Sequence, residues 1–270
     1  MICVPDLLGS HDLLFITFDT LRYDVAQELF TRGRTPFLAS LLPVAGWEAR
    51  HSPGSFTYAA HHAFFAGFLP TPTAPGPHAR LFAARFPGSE TTTATTFVFD
   101  APDIVTGLAQ QGYHTVCIGG VGFFNRQSPL GSVLPDLFHE SYWTPELGVT
   151  NPTSTACQVD LACQVLENLH PAQRLFLFVN ISALHQPNYF YVPGLKEDTI
   201  ASHAAALEYV DSQLPRLFVT ARRRAPLLAI LCSDHGTAYG EDGYSGHRLA
   251  HPVVWTVPYA ECVLPQLNGA

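Results

Sequence analysis

A chain of 270 residues, 47% hydrophobic and only 13% charged, can build one sizeable core, which excludes an intrinsically disordered chain or a salt-bridge-laced coiled coil. The formal net charge is −8, with one lysine (Lys196) and no basic run beyond Arg222-Arg223-Arg224, which excludes the basic stripe that nucleic-acid binding requires. Thirteen histidines in so weakly charged a chain direct attention to metal or acid–base chemistry.

The first residues, Met1 to Asp6, carry no basic start, and the first apolar run is short. No apolar stretch approaches the ~18–20 residues of a membrane span, so the expectation is a soluble, cytoplasmic protein. Leu13–Phe18 (LLFITF) is an unbroken apolar run ending at Asp19, the pattern of a strand buried on both faces. Pro36–Leu42 reads as a helix, and Pro70–His78 and Ser89–Thr96 read as loops. Ala101–Gln111 reads as a helix with Pro102 in its first turn and Gly112 as its C-cap. Thr115–Ile118, Leu175–Val179 and Leu227–Cys232 repeat the buried-strand pattern, ending at Gly119, Asn180 and Ser233-Asp234. Helical stretches at Thr155–Leu169 and Ser202–Arg224 alternate with them. Such alternation predicts a single α/β domain over residues 1–270, a mostly parallel sheet with helices on both faces. The six cysteines form no C-x-x-C pair and are expected to be reduced and buried.

In such sheets ligands bind beyond the carboxyl ends of the strands. The residues there are Asp19, Gly119 to Asn125, Asn180 to His185, and Asp234-His235. Carboxylates and histidines at these ends suit a divalent cation. Plainer roles exist for each: Asp19 as a helix cap, Thr57 as packing, His61 and His62 as a polar bump on a helix, His247 on the surface. Gly119–Gly122 reads equally as a simple turn or as an anion-approach loop.

Ser233-Asp234-His235-Gly236, followed by Tyr239-Gly240-Glu241 and Gly246-His247, is the sharpest signal. Together with Phe15–Asp19 and Arg22, it resembles the sulfatase branch of the alkaline phosphatase superfamily. Further resemblances follow in the same order: Asp19-Thr20-Leu21-Arg22, Thr35-Pro36-Phe37-Leu38, the Thr57 segment with Gly67 and Pro70 behind it, Gly112-Tyr113-His114-Thr115, His185-Gln186-Pro187, and Tyr209-Val210-Asp211. The pattern is most similar to short bacterial sulfatase-like hydrolases without the C-terminal subdomain. The resemblance implies an alkaline phosphatase-like core with Asp19, Thr57, Asp234 and His235 as ligands of one divalent ion. Zn²⁺ or Mn²⁺ is the first choice and Mg²⁺ the alternative. It implies Thr57 as nucleophile, His185 and His247 as proton donors and acceptors, and His61 and Asn125 as substrate contacts.

The departures separate phosphate from sulfate. Formylglycine sulfatases need a Cys or Ser nucleophile followed by x-Pro-x-Arg, whereas Thr57 is followed by Ala59 and His61. Their G-K-W-H strand end reads Gly119-Gly120-Val121-Gly122, and their late lysine is replaced by His247. These positions are similar instead to phosphoethanolamine transferases and lipoteichoic acid synthases. Ile181 stands where two-metal phosphodiesterases carry an aspartate, and Thr20 where many sulfatases have a second Asp, so a second ion is less favoured. The leading expectation is a metal-dependent hydrolase or phosphotransferase of small phosphate or phosphonate esters, acting through a phospho-threonine. The alternatives are a sulfatase-like hydrolase without formylglycine and a non-catalytic metal- or ligand-binding scaffold. The resemblance also implies biosynthetic partner enzymes, while no membrane or nucleic-acid partner is expected and no oligomeric state is specified.

Overall fold

The computed structural model describes residues 2–67 and 103–267. Pro70, the two predicted loops between residues 70 and 96, and Ala101-Pro102 lie outside the described residues. Among the described residues, nine strands run in chain order: β1 Asp12–Phe18, β2 Glu48–His51, β3 His114–Ile118, β4 Glu140–Tyr142, β5 Leu175–Ile181, β6 Leu227–Ser233, β7 Ala238–Tyr239, β8 Ser245–Gly246 and β9 Thr256–Leu264. The helices among the described residues are α1 Tyr23–Thr31, α2 Pro36–Leu41, α3 Thr57–Ala66, α4 Ile104–Gln110, α5 Pro129–Val133, α6 Ser154–Asn168, α7 Ile200–Arg224 and α8 Pro252–Trp255.

Seven strands form one sheet in the order β2-β9-β6-β1-β5-β3-β4. The run β6-β1-β5-β3-β4 is parallel, while β9 is antiparallel to both β6 and β2. The predicted mostly parallel α/β fold is therefore present. β9 was not expected, because its half-exposed residues and Pro258 break the apolar run that marked the central strands. α1 was also missed; it buries only Val25, Ala26 and Leu29. α4 starts later than its sequence pattern suggested, because the Asp103 side chain accepts from Thr106 N and caps it there. Gly112 follows with φ 85°, as a C-cap glycine requires.

Alternation along the strands creates two cores. Leu14, Ile16 and Phe18 of β1, with Leu175, Leu177 and Val179 of β5, pack against α1, α2, α6 and α7. Leu13 of β1, with Phe176 and Phe178 of β5, packs on the other face against Phe65, Val105, Phe124 and Phe138. Asp211 of α7 accepts from Phe37 N and Leu38 N at 3.2 and 2.7 Å, so the Tyr209–Asp211 motif caps α2. All six cysteines are free, but they are not uniformly buried: Cys117, Cys163 and Cys232 are buried, Cys157 and Cys262 half-buried, and Cys3 exposed.

Register sets the level of the site. Phe18 pairs with Ile181 on one side and Ser233 on the other, so Asp19, Ser182 and Asp234 leave the sheet side by side.

Candidate metal centre and its cavity

Asp19, Asp234 and His235 are buried, and one donor atom from each lies within 4.8 Å of the others. Thr57, the first residue of α3, places Oγ1 at 3.5 Å from Asp19 Oδ2 and 3.4 Å from His235 Nε2. The four predicted ligands thus converge from two strand ends and one helix N-terminus.

Their hydrogen bonds leave one donor direction open on each. Asp234 Oδ1 accepts from Thr20 N at 3.2 Å and His235 N at 2.9 Å, whereas buried Oδ2 has no hydrogen-bond partner. Asp19 Oδ2 accepts from Asn180 Nδ2 at 3.2 Å, whereas buried Oδ1 has none. His235 Nδ1 donates to Gly236 O at 2.9 Å, which leaves Nε2 as the lone-pair nitrogen. A cluster of two carboxylates, each with one unpartnered oxygen, an imidazole nitrogen carrying its lone pair and a hydroxyl fits a divalent cation. Electrostatics agree with that fit. Burial pushes both carboxyls above their usual range, and the adjacent Asp234 charge raises Asp19 further. Burial also lowers His235, which keeps its ring neutral as a ligand must be.

Behind the ligands runs a hydrogen-bonded relay. Asn180 Nδ2 donates to Thr17 Oγ1 at 3.2 Å as well as to Asp19. The Thr17 hydroxyl donates to His61 Nε2 at 3.0 Å, and His61 Nδ1 donates to Thr57 O at 2.7 Å. The relay ties the end of β1 to the first turn of α3. His61 Nδ1 also lies 3.7 Å from Asp234 Oδ2, but this is no ion pair, because burial drives His61 down to about 3 and leaves it neutral. Ser52 adds a further support by donating through Oγ to Asp234 O.

Thr20 holds a left-handed backbone at φ 65°, a strained conformation for a β-branched residue. Its amide serves Asp234, and its hydroxyl donates to Leu184 O at 3.1 Å, away from the ion site. Ile181 is buried in the aliphatic core. Arg22, 3% exposed, pairs with Asp24 at 2.6 Å and with Glu241, linking the exit of β1 to the β7–β8 hairpin. Gly236 is needed where it stands, since a Cβ there would lie 1.9 Å from Val253 O.

Thr57 opens into a cavity of about 370 Å³ that His185, His247 and Arg248 also line. The His247 ring lies 4.6 Å from that of His235 and 5.5 Å from that of His185. Burial, then the neighbouring His235, His185 and Arg248, push His247 down to about 3. The two residues expected to touch substrate are placed elsewhere. His61 is fully buried beneath the ligands, in an aromatic cage that includes Phe124 and Phe178. Asn125 turns its Oδ1 back onto Gln127 N at 2.9 Å and is absent from the cavity lining. Thr17, Asn180, Ser52 and Arg248 were not assigned roles from the sequence. Only Asn180, a polar residue closing an apolar run, carried a local signal.

The chain is similar in fold to several solved domains. The soluble domain of lipooligosaccharide phosphoethanolamine transferase A from Neisseria meningitidis superposes with a TM-score of 0.65 at 15% identity, covering 94% of this chain and 77% of that one. The C-terminal periplasmic domain of EcEptC from Escherichia coli, solved in complex with Zn, gives 0.63 at 16% identity over 95% and 74%. The lipoteichoic acid synthase LtaP from Listeria monocytogenes gives 0.62 at 12% identity over 98% and 67%. No curated protein matches the sequence. No described helix is long and apolar enough to cross a membrane. A family model described as Sulfatase matches residues 11–259, nearly the whole chain, and the protein belongs to the Sulfatase family with an alkaline phosphatase-like fold.

Proposed function

We propose that the protein is a metal-dependent hydrolase or phosphotransferase of small phosphate or phosphonate esters, working through a covalent phospho-threonine at Thr57. Family membership and the transferases and synthase of similar fold support ester transfer or hydrolysis in general. The observation that carries the finer reading is the cluster of Asp19, Asp234 and His235 donor atoms beside the Thr57 hydroxyl, with one oxygen of each carboxylate buried and without a hydrogen-bond partner. Asp19, Asp234, His235 and Thr57 would hold one divalent ion, with Zn²⁺ or Mn²⁺ preferred and Mg²⁺ the alternative. When bound, it neutralises charge on the phosphoryl group and acidifies the hydroxyl. Ile181 in the core and the Thr20 hydroxyl on Leu184 O leave no further carboxylate for a second ion at those positions.

Thr57 Oγ1 forms the bond to phosphorus as the bond from phosphorus to the leaving oxygen breaks. Asp19 Oδ2, 3.5 Å away, is the nearest carboxylate acceptor for the threonine proton. The N-terminus of α3, where Thr57 sits, adds partial positive charge beside the anion. His185, which lines the cavity with His247, supplies a proton to the leaving oxygen, and His247 is the second candidate for that transfer. In the second half-reaction, His185 takes a proton from water or an acceptor alcohol as that oxygen bonds phosphorus and the Thr57–phosphorus bond breaks, and Asp19 returns its proton to Thr57 Oγ1.

Thr57→Ala, measured beside wild type for metal content and for turnover of 4-nitrophenyl phosphate and bis(4-nitrophenyl) phosphate, tests this reading. The variant should retain its ion while turnover falls on the order of 10⁴-fold or more, as loss of a nucleophile does elsewhere. Full activity in Thr57→Ala would remove Thr57 as nucleophile. The family also supports a sulfatase-like reading, which faster turnover of 4-nitrophenyl sulfate than of the phosphate esters would favour.

A further inference from the structure

His185 and His247 reach the cavity from separate parts of the chain, yet their rings lie 5.5 Å apart. His185 belongs to the connection between β5 and α7, and His247 directly follows β8 of the two-stranded hairpin. One buried side chain, Asn188, spans the two segments.

Asn188 is fully buried, and both protons of its amide are used. Nδ2 donates to Leu184 O, the carbonyl directly before His185, and to the Tyr239 hydroxyl, each at 2.9 Å. Tyr239 lies on β7 and pairs with Ser245 of β8, just before Gly246 and His247. A single amide therefore ties the flank of one histidine to the flank of the other. Its own position is fixed from the start of α7. Oδ1 accepts from Ser202 Oγ at 2.6 Å, and the Asn188 backbone N–H donates to Asp198 Oδ1 at 2.6 Å. Leu184 O is also held from the ion side, since it accepts from Thr20 Oγ1 at 3.1 Å.

The tie bears on proton transfer through the direction of one nitrogen. His185 Nδ1 donates to Gln186 O at 2.5 Å, so Nε2 is the ring nitrogen free to exchange a proton. Where Nε2 points depends on the backbone from Leu184 to Asn188, the stretch that the Asn188 side chain closes. Transfer to an ester oxygen needs hydrogen-bond reach, and a misplacement of about 1 Å costs on the order of 10²-fold in rate.

Resting on the proton role of His185 in the proposed function, we infer that Asn188 and Tyr239 are positioning residues. Their hydrogen bond holds the His185 connection against the hairpin of His247 and keeps His185 Nε2 within reach of the leaving oxygen. Both side chains act from behind, since neither lines the cavity.

Tyr239→Phe is the gentlest way to cut the tie. The hairpin has a separate hold, because Glu241 accepts from Arg22 and, at 2.6 Å, from Tyr239 N. The variant should stay folded and keep its ion, read from urea midpoint and metal content. Phenyl and 4-nitrophenyl phosphate, with diphenyl and bis(4-nitrophenyl) phosphate as the diester pair, separate positioning from plain support. 4-Nitrophenolate leaves with little help from a proton, whereas phenolate needs one. The quantity to compare is kcat/KM, which reports formation of the phospho-threonine. In Tyr239→Phe it should fall about tenfold for the phenyl ester and less than about threefold for the 4-nitrophenyl ester. Asn188→Asp, which turns the donor to Leu184 O into an acceptor, should shift the ratio the same way. His185→Gln should widen the ratio at least as far, and adding Tyr239→Phe to it should widen it no further. An equal loss for both esters in Tyr239→Phe, or no loss, would overturn this inference and leave the proposed function standing. An unchanged ratio in His185→Gln would defeat the proton role of His185 and this inference with it. Metal-loaded wild type that turns over no ester would defeat the proposed function as a whole.

Discussion

The two faces of the sheet are made from alternate residues of the same strands, yet they pack differently. One face is aliphatic, with Leu, Ile and Val from β1, β5 and β6 interleaving with α1, α2, α6 and α7. The other is aromatic, with Phe178 touching Phe15, Phe65, Phe124 and Phe138 in edge and tilted contacts. The aliphatic face stays apolar up to the strand ends. The aromatic face turns polar before it gets there, through Thr17, Asn180 and His61, and then opens onto Thr57. Aromatic rings tolerate this gradient because they pack against a neutral imidazole with their edges, as the His61–Phe124 and His61–Phe178 pairs do at 5.2 and 5.5 Å. The lesson is a division of labour: one face stabilises the sheet, and the other both stabilises it and positions Thr57.

Adjacent residues of β5 test that division with the largest effects. Leu177→Ala should cost about 2–5 kcal/mol and Phe178→Ala about 3–5 kcal/mol in denaturant unfolding, both being buried. Only Phe178→Ala should also lower kcat per folded molecule, because it opens the wall around His61. An equal loss of kcat in Leu177→Ala would break the comparison.

Buried histidines on both faces predict the next effect. Burial lowers His203 of α7 to about 4, and His61 of α3 to about 3. Between those values and the ordinary ~6.5, the unfolded chain binds protons that the folded one refuses. The contribution of these two histidines to stability is therefore complete above pH 6.5 and declines as the pH falls toward 4, opposite in sign to that of the buried Asp19 and Asp234. His203→Gln should flatten that decline by about one proton's worth of slope, read from urea midpoints across pH 4–7. An unchanged slope would show that His203 is not held neutral.

A smaller change sharpens the comparison at the polar end. Thr17→Val removes the donor to His61 Nε2 and should cost about 1–3 kcal/mol. Because the relay continues to the carbonyl of Thr57, turnover should fall several-fold while metal content is kept. Lost stability with unaltered turnover would confine the relay to a structural role.

Much of this arrangement could be read from local pattern, and some could not. The buried central strands and the Asp19, Asp234 and His235 positions were visible because a strand covered on both faces must be continuously apolar, and its polar ending marks the site level. β9 was invisible because a half-exposed antiparallel strand has no such run. His61 and Asn125 were misplaced for a different reason. Proximity in sequence to Thr57 and to the glycine loop says nothing about side-chain direction, which packing against Phe178 and the turn at Gln127 decided.

The sequence by itself determined the α/β alternation, the strand ends and the identity of the chemical groups placed there. Those are local properties, written in apolar runs and in the residues that close them. Only the tertiary structure decided which groups meet. It brought Thr57 to His235 across 178 positions of sequence and Thr20 to Asp234 across 214. It also left one oxygen of each carboxylate without a partner and aimed Arg248 at the cavity. Strand register and helix packing set those meetings, because a side chain's direction depends on what occupies the space beside it, and that space is filled by residues far away in the chain.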